Sequence, residues 1–277
     1  MSGALEYFAR AGHNWSSIKL MDDSALAYKW GLDNPREDTA ALALGRVVHS
    51  LVFEPETLAT DYAVFTGATR RGKEWVAFAA ENAGKTIFKT DEIEGARAMA
   101  TAIRRHPLVK PYLAAAGEFE RVVTWTDPAT GLYCKGKFDW IIPSQRILID
   151  LKTTRAIAPR RFAADVAKYK YHGQLGGHYS NGCEFGLGWR PERVIIIAAD
   201  KSAPFDVAVY ELDDAGKECG KELAATLLDR VKWCEEHDEW PGAQFDWESR
   251  TLTESTLELP GWLYGAGEIE VTYDTEE

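Results

Sequence analysis

Glu120-Arg-Val-Val-Thr-Trp-Thr-Asp-Pro-Ala-Thr-Gly-Leu-Tyr-Cys-Lys-Gly-Lys-Phe-Asp139-Trp-Ile-Ile-Pro-Ser-Gln-Arg-Ile-Leu-Ile-Asp150-Leu-Lys152 is the stretch on which the fold turns. Val122, Val123 and Trp125 begin one β-rich run, Tyr133 to Ile142 makes a second and Ile147 to Leu151 a third. Turn residues at Asp127-Pro128, Thr130-Gly131 and Pro143-Ser144 separate them, so the spacing predicts a three-stranded meander. Side chains alternate along a strand, which points Asp150 and Lys152 the same way and Leu151 into the opposite layer. Asp139 lies eleven residues before Asp150 across the Pro143-Ser144 turn. Adjacent antiparallel strands can therefore bring the two carboxylates together, and Glu120 can join them from the first strand.

Clustered carboxylates raise one another's pKa unless a cation sits between them. An all-oxygen donor set favours a hard ion such as Mg²⁺ or Mn²⁺. A lysine beside such a metal can orient or help deprotonate water and screen charge on a pentavalent phosphorus, the division of labour in metal-assisted phosphodiester hydrolysis. An isolated D-x-K is more often an exposed pair, so the surroundings decide its meaning.

Working outward, Thr39 is predicted to cap a helix from Ala40 to about Phe53, with Leu42, Leu44, Val48, Leu51 and Val52 on its apolar face. His49 sits one turn beyond Gly45, and the small residue leaves room for another backbone or a ligand. Upstream, residues 1–15 read as a loose lead-in, and Ser16 or Ser17 as the cap of a helix through about Trp30 that breaks at Asn34-Pro35. Arg70-Arg71-Gly72-Lys73 opens another helix. Thr90 to Arg105 forms a further one, with Ile93, Ala96, Ala100 and Ile103 in its core and Pro107 at its end, and a shorter helix runs on to about Ala115. Downstream, Ala158-Pro159 starts a basic helix bearing Arg160 and Arg161. Gln174 to Tyr179 is predicted helical despite Gly173, Gly176 and Gly177, which would permit close approach to the sheet or to a nucleic-acid backbone. Val194 to Ala199 reads as a buried strand with Phe205 to Leu212 as its hairpin partner, and Asp213 to His237 as a long amphipathic helix ended by Pro241.

The 277 residues carry a net charge of −11, unevenly spread. Residues 101–170 hold 13 Lys+Arg against 6 Asp+Glu, whereas residues 201–277 hold 6 against 20. The motif region is thus locally basic and would attract a polyanion. Cys134, Cys183, Cys219 and Cys234 are widely spaced without C-x-x-C, which argues against a disulfide framework, a zinc site or an iron–sulfur cluster. No apolar run approaches the ~20 residues of a membrane span. With no basic flank followed by a signal core at its N-terminus, the chain is expected in the cytoplasm.

Asp139 followed by Asp150-x-Lys152 resembles the PD-(D/E)xK nuclease signature, with Phe138 in place of the proline. The wider context, Gly45-Arg-Val-Val-His49, Glu54-Pro55-Glu56, Arg70-Arg71-Gly72-Lys73-Glu74-Trp75, Gly131-Leu-Tyr-Cys-Lys135, Asp150-Leu-Lys-Thr-Thr154 and Tyr171-His-Gly-Gln174, resembles in order the exonuclease VIII (RecE-type) domain of phages and prophages. That family is similar to lambda exonuclease and RecB-type nucleases. The resemblance implies an α/β restriction-endonuclease-like core, with a central mixed sheet flanked by helices and with N-terminal accessory helices. It implies Mg²⁺-dependent (or Mn²⁺-dependent) degradation of double-stranded DNA from its ends, 5′ to 3′, by two ions per site. The 3′ overhangs would serve a phage single-strand annealing protein, and the enzyme would be a homo-oligomeric ring, trimer or tetramer.

Carried over by residue, the resemblance makes His49, Glu120, Asp139, Asp150 and the Leu151 carbonyl metal ligands. Lys152 becomes the catalytic lysine, with Gln174 the glutamine of the following helix. Relatives often place tyrosine four residues after that glutamine. Here His178 holds the position and Tyr179 follows, and either could face phosphate. Arg70, Arg71, Lys73, Arg104, Arg105, Lys135, Arg160 and Arg161 complete the expected DNA contacts. The domain is expected over 16–264, comprising a helical part (16–117), a catalytic core (118–212), and a C-terminal helix with a closing Leu259-Pro-Gly-Trp262 segment (213–264). An acidic tail fills 265–277. An endonuclease of the same fold, and a catalytically silent DNA-binding phage protein, are the competing readings.

Overall fold

The computed structural model describes residue 7, residues 11–34 and residues 38–258. The predicted meander is present as β3 (Glu118–Thr126), β4 (Tyr133–Ile142) and β5 (Ile147–Thr154), each antiparallel to the next. It continues into β6 (Arg193–Asp200), parallel to β5, and β7 (Val207–Glu211), antiparallel to β6. The result is one mixed five-stranded sheet in the order β3-β4-β5-β6-β7. From Val194 to Ala199 β6 is continuously apolar and buried, because both faces of the sheet are covered there.

On one face lie α2 (Ala40–Phe53) and α4 (Thr90–Arg105), which bury Val47, Val48 and Val52 and Ile93, Ala96, Ala100 and Ile103 against Ile147, Ile149 and Leu151. The cap of α2 is as expected, with Thr39 accepting from the Leu42 amide. On the other face, α5 (Pro159–Lys168), two π-helical segments (Gly173–Tyr179 and Gly182–Gly186) and α6 (Asp214–His237) pack on Phe138, Ile141, Leu148, Val194 and Ile196. The remaining named elements are α1 (Ala25–Asp33), α3 (Gly72–Glu81) and a small parallel pair, β1 (Tyr62–Phe65) with β2 (Thr86–Lys89). Among the described residues no helix is long and apolar enough to cross a membrane.

Several expectations need correction. The helix expected from Ser16 to Trp30 is broken: Asn14 caps a turn at Trp15–Ile18, a 3₁₀ turn follows, and Ser24 caps α1 separately. Two side chains able to bond backbone amides, ten residues apart, start two helices rather than one. Residues 11–15 are not loose. The His13 amide donates to the Tyr133 carbonyl (2.9 Å), the Lys135 amide donates to the His13 carbonyl (2.9 Å), and Trp15 is buried. The long C-terminal helix ends at His237 as expected, although its stop is the left-handed Asp238 (φ 52°) and not Pro241.

The segment after Gln174 is helical, but wound as a π-helix. Its glycines serve neither the sheet nor a ligand: a Cβ on Gly177 would lie 2.3 Å from the Gly220 carbonyl oxygen, and one on Gly176 2.8 Å from the Lys217 backbone. They admit α6 at backbone distance. β1 and β2 are four residues each and had no hairpin signal to reveal a parallel pair. The closing Leu259–Trp262 segment and the acidic tail lie outside the described residues. Cys134, Cys183 and Cys234 are buried free thiols and Cys219 an exposed one, as the spacing suggested.

Candidate active site

The β4–β5 ladder has three pairs, Ile142↔Ile147, Ile141↔Leu148 and Trp140↔Ile149, and then ends. Both strands run on, β4 held only by β3 and β5 only by β6, so the sheet forks. Asp139 and Asp150 are the next residues on either side of the split. A strand amide that loses its ladder partner needs another acceptor. The Asp139 carboxylate supplies it, with Oδ2 accepting from the Leu151 amide at 2.9 Å.

Glu120 reaches the same point by a local backbone distortion. The β3–β4 register is continuous from Phe119↔Trp140 to Arg121↔Phe138, yet the intervening Glu120/Asp139 position is unpaired, and Glu120 has φ +50°. For a residue with a Cβ this left-handed conformation is strained and characteristic of functional positions. Its effect is visible in the packing. Trp140 and Ile142 belong to the α2/α4 core, whereas Phe138, two residues earlier, packs with Ile141 on the opposite face. On β3, Phe119 faces α2 and α4 while Val123 and Trp125 face the other side. Both strands change face together at Glu120 and Asp139.

From α2, His49 completes the group. Its Nδ1 lies 3.6 Å from Glu120 Oε1 and 3.6 Å from Asp139 Oδ1, and ligand atoms of the three residues all fall within 4.8 Å of one another. Its Nε2 is 2.9 Å from the Leu151 carbonyl oxygen. A carbonyl only accepts, so Nε2 carries the proton and Nδ1 faces the acids. The Leu151 carbonyl, expected among the ligands, is thus engaged in orienting the histidine.

Asp150 is buried beside the group and ion-pairs with Lys152, Oδ2 to Nζ 2.7 Å. Lys152 Nζ also donates to Gln174 Oε1 (3.2 Å) and lies 4.6 Å from the centre of the Tyr171 ring. Glu120 Oε2 meets Lys137 Nζ at 2.5 Å. The fork thus carries four acids or bases expected from the sequence, the expected lysine and the expected glutamine, together with Lys137 and Tyr171, which the sequence reading had not singled out. Tyr171 lies three residues before Gln174 and Lys137 two before Asp139, and neither residue type at that spacing points to a metal or phosphate by itself.

Charge in the site is poised for a cation. Burial works against the His49 imidazolium, but the carboxylates of Asp139, Glu120 and Asp150 outweigh it and raise its pKa to about 9. Burial pushes Asp139 up to about 7, with the Asp150 and Glu120 charges adding to it and His49 opposing. Glu120 is held below the usual carboxylate range: burial raises it, and its contacts with His49 and Lys137 overcome that. Burial likewise opposes the Lys152 ammonium, yet Asp150 and Asp139 keep its pKa above the ordinary value, so it is a charged donor. Glu120 Oε1 and Asp150 Oδ1 are buried without a hydrogen-bond donor among the described residues. Uncapped buried carboxylate oxygens beside an imidazole suit a divalent cation. Among the described residues one such group of three is present, and the second Glu120 oxygen meets Lys137.

The fork opens into a cleft of about 770 Å³ whose cations are Lys19, Arg46, Lys137, Lys152 and Lys201. None of the other basic residues expected at DNA lines it. Arg70 is taken by Glu92 and the Ile87 carbonyl, and Arg104 by the Val52 carbonyl, while Arg71, Lys73, Arg105, Arg160 and Arg161 are exposed elsewhere. Three expected contacts are contradicted by burial. Lys135 is 2 % exposed, with its Nζ donating to the Tyr7 carbonyl. His178 is fully buried, its Nε2 3.0 Å from the Lys135 carbonyl oxygen, and the Tyr179 hydroxyl donates to the Lys137 carbonyl at 2.9 Å. All three fasten the π-helix and the N-terminal segment to β4 and cannot reach phosphate.

Residues 15–246 match a family described as a PDDEXK-like domain of unknown function (DUF3799). The fold is similar to that of a crystal structure described as "Putative exonuclease" from Eubacterium rectale, with a TM-score of 0.60, 16% identity, and 96% of each chain covered. A phage related exonuclease from Haemophilus somnus 129PT aligns at a TM-score of 0.36 and 12% identity, over 85% of this chain and 100% of that one. No curated protein matches the chain.

Proposed function

The chain belongs to the PDDEXK-like domain family (DUF3799), and from that membership and the geometry of the fork we propose a divalent-metal-dependent nuclease that degrades linear double-stranded DNA from its ends. The observation that carries this reading is the convergence of His49, Glu120 and Asp139 within 4.8 Å, beside an Asp150–Lys152 pair at 2.7 Å. The 5′ to 3′ direction, the 3′ overhangs, the use of those overhangs by an annealing protein and the ring-shaped homo-oligomer follow from the RecE-type resemblance, and a cytoplasmic setting completes the proposal.

His49, Glu120, Asp139 and Asp150 would hold the ion, with Mg²⁺ favoured by the preponderance of oxygen donors. When bound, it supplies Lewis acidity at a phosphoryl oxygen and lowers the pKa of water. The chain's own groups do the rest. The Leu151 carbonyl fixes the His49 tautomer, and the Leu151 amide fixes Asp139. Lys152, kept charged by Asp150 and located by Gln174, would place its positive charge beside the phosphoryl oxygens, where negative charge develops.

Linear duplex labelled separately at each terminus, incubated with Mg²⁺ beside a closed circle of the same sequence, tests the proposal. Early loss of the 5′ label with the circle intact is expected. Cutting of the circle would select the endonuclease reading, and binding without cutting would select the silent one.

A further inference from the structure

The cleft has a second cationic feature on the β5–β6 arm of the fork. β5 and β6 run parallel with Thr154 beside Asp200, and the Lys201 amide donates to the Thr154 carbonyl at 2.9 Å. The next residue on each strand is therefore a cation, Arg155 beside Lys201. Two like charges are seated together where each strand leaves the sheet. Lys201 lines the cleft that contains His49, Glu120 and Lys152, and Arg155 is exposed next to it.

Neither makes an ion pair among the described residues, and the nearby acids are engaged elsewhere. Asp200 accepts from the Ser202 amide (2.8 Å), Asp165 from the Thr154 hydroxyl (3.0 Å), and Asp206 from the Val207 amide (2.8 Å). Burial lowers the pKa of Lys201, and the Arg155 charge lowers it further. A half-buried ammonium beside a guanidinium, with no ion pair to either among the described residues, is an unfavourable arrangement for a protein alone, and an anion shared by the two relieves it.

We propose that Arg155 and Lys201 form a binding site for a non-scissile backbone phosphate of the strand being cut. The position sets the distance. Arg155 is three residues beyond Lys152 at about 3.3 Å per residue, roughly 10 Å away, within about three nucleotides of the scissile bond along a duplex. The metal group then lies where the arms of the fork part, and the far end of β5–β6 holds the strand. The inference rests on the nuclease reading of the same cleft.

Fluorescence anisotropy of a labelled linear duplex, with Ca²⁺ in place of Mg²⁺ and over a series of salt concentrations, tests it. Lys201→Gln and Arg155→Gln should each weaken binding severalfold and reduce the slope of log affinity against log salt by about 1, while Lys201→Arg retains both. Mn²⁺ binding should match the wild type in all three, and neither Gln variant should unfold at a lower temperature than the wild type, separating phosphate contact from damage to the site or the fold. Wild-type slopes in both Gln variants, with DNA still cleaved by the wild type, would overturn this site alone. Absence of duplex binding and cleavage by the wild type would overturn it together with the nuclease reading. Competition by inorganic phosphate that depends on Lys201 and matches duplex in affinity would show a free-anion site and overturn the strand assignment.

Discussion

The two arms of the forked sheet obey different rules. On β5–β6 the alternation is unbroken: Ile147, Ile149, Leu151, Ile195 and Ile197 face α2 and α4, while Leu148, Val194 and Ile196 face α6. Asp150 and Lys152 share a side simply because they are two residues apart. On β3–β4 the alternation fails at Glu120 and Asp139, where both strands exchange faces and the backbone enters a left-handed conformation. The regular arm sets its acid and lysine by period. The irregular arm sets its two acids by breaking the period, which brings Glu120 into reach of His49 on a helix that packs on one face only. A metal group can therefore draw on a helix above one face and on a lysine facing the other.

Substitutions at the irregular arm should show the largest effects. Asp139→Ala and Asp139→Asn should both lose turnover by at least about 10²-fold, since each removes an anionic ligand. They should differ in stability. The asparagine still accepts from the Leu151 amide, whereas alanine leaves that amide unsatisfied at a cost of about 1–3 kcal/mol, readable by urea denaturation. Equal stabilities would mean that the carboxylate does not cap the fork.

At Glu120 strain and chemistry separate. Glu120→Gly and Glu120→Gln should both weaken Mn²⁺ binding, measured calorimetrically, yet the glycine variant should be the more stable of the two by about 1 kcal/mol because it adopts positive φ without a clash. A less stable glycine variant would contradict a strained backbone at this position.

The pH dependence of metal binding comes next. Groups with raised pKa hold their protons at lower pH, and a metal must displace them, so affinity should increase as pH rises through about 7, where Asp139 ionises, and onward toward about 9 for His49. His49→Gln should flatten the upper part of that profile. Flat wild-type affinity from about pH 6 to about pH 8 would remove Asp139 and His49 from the ligand set.

The smallest effect is expected on the regular arm, where Tyr171 supports Lys152 from below. Tyr171→Phe should leave turnover unchanged and Tyr171→Ala should lower kcat severalfold with little change in KM, because a cation over an aromatic face contributes only about 0.5–2 kcal/mol.

The same contrast explains what the sequence could tell. Period-two runs, turn residues and caps made β3 to β7, α2, α4 and α6 legible, and with them the meeting of Asp139 with Asp150 and Lys152. The family likeness supplied His49 and Gln174, which no local pattern distinguishes from packing residues. The fork and the face exchange at Glu120 were not legible, because a backbone distortion leaves no periodic trace. Apart from Lys152, the cleft cations were also missed. Lys137 and Lys201 are single residues in apolar or mixed strands, whereas the conspicuous clusters at Arg70-Arg71 and Arg104-Arg105 are tied to local partners or turned away. Lys135, His178 and Tyr179 failed because burial depends on what packs from elsewhere in the chain, here Tyr7 and the π-helix.

The most direct test of the account is single-turnover hydrolysis of a linear duplex by wild type and Lys152→Ala, each with Mg²⁺ and with chelator. Wild type should cut only with Mg²⁺, and the variant should keep its fold and DNA binding while losing cleavage by about 10²–10⁴-fold. A Lys152→Ala protein that cuts at the wild-type rate, or a wild type indifferent to chelator, would contradict a metal-dependent site at the fork.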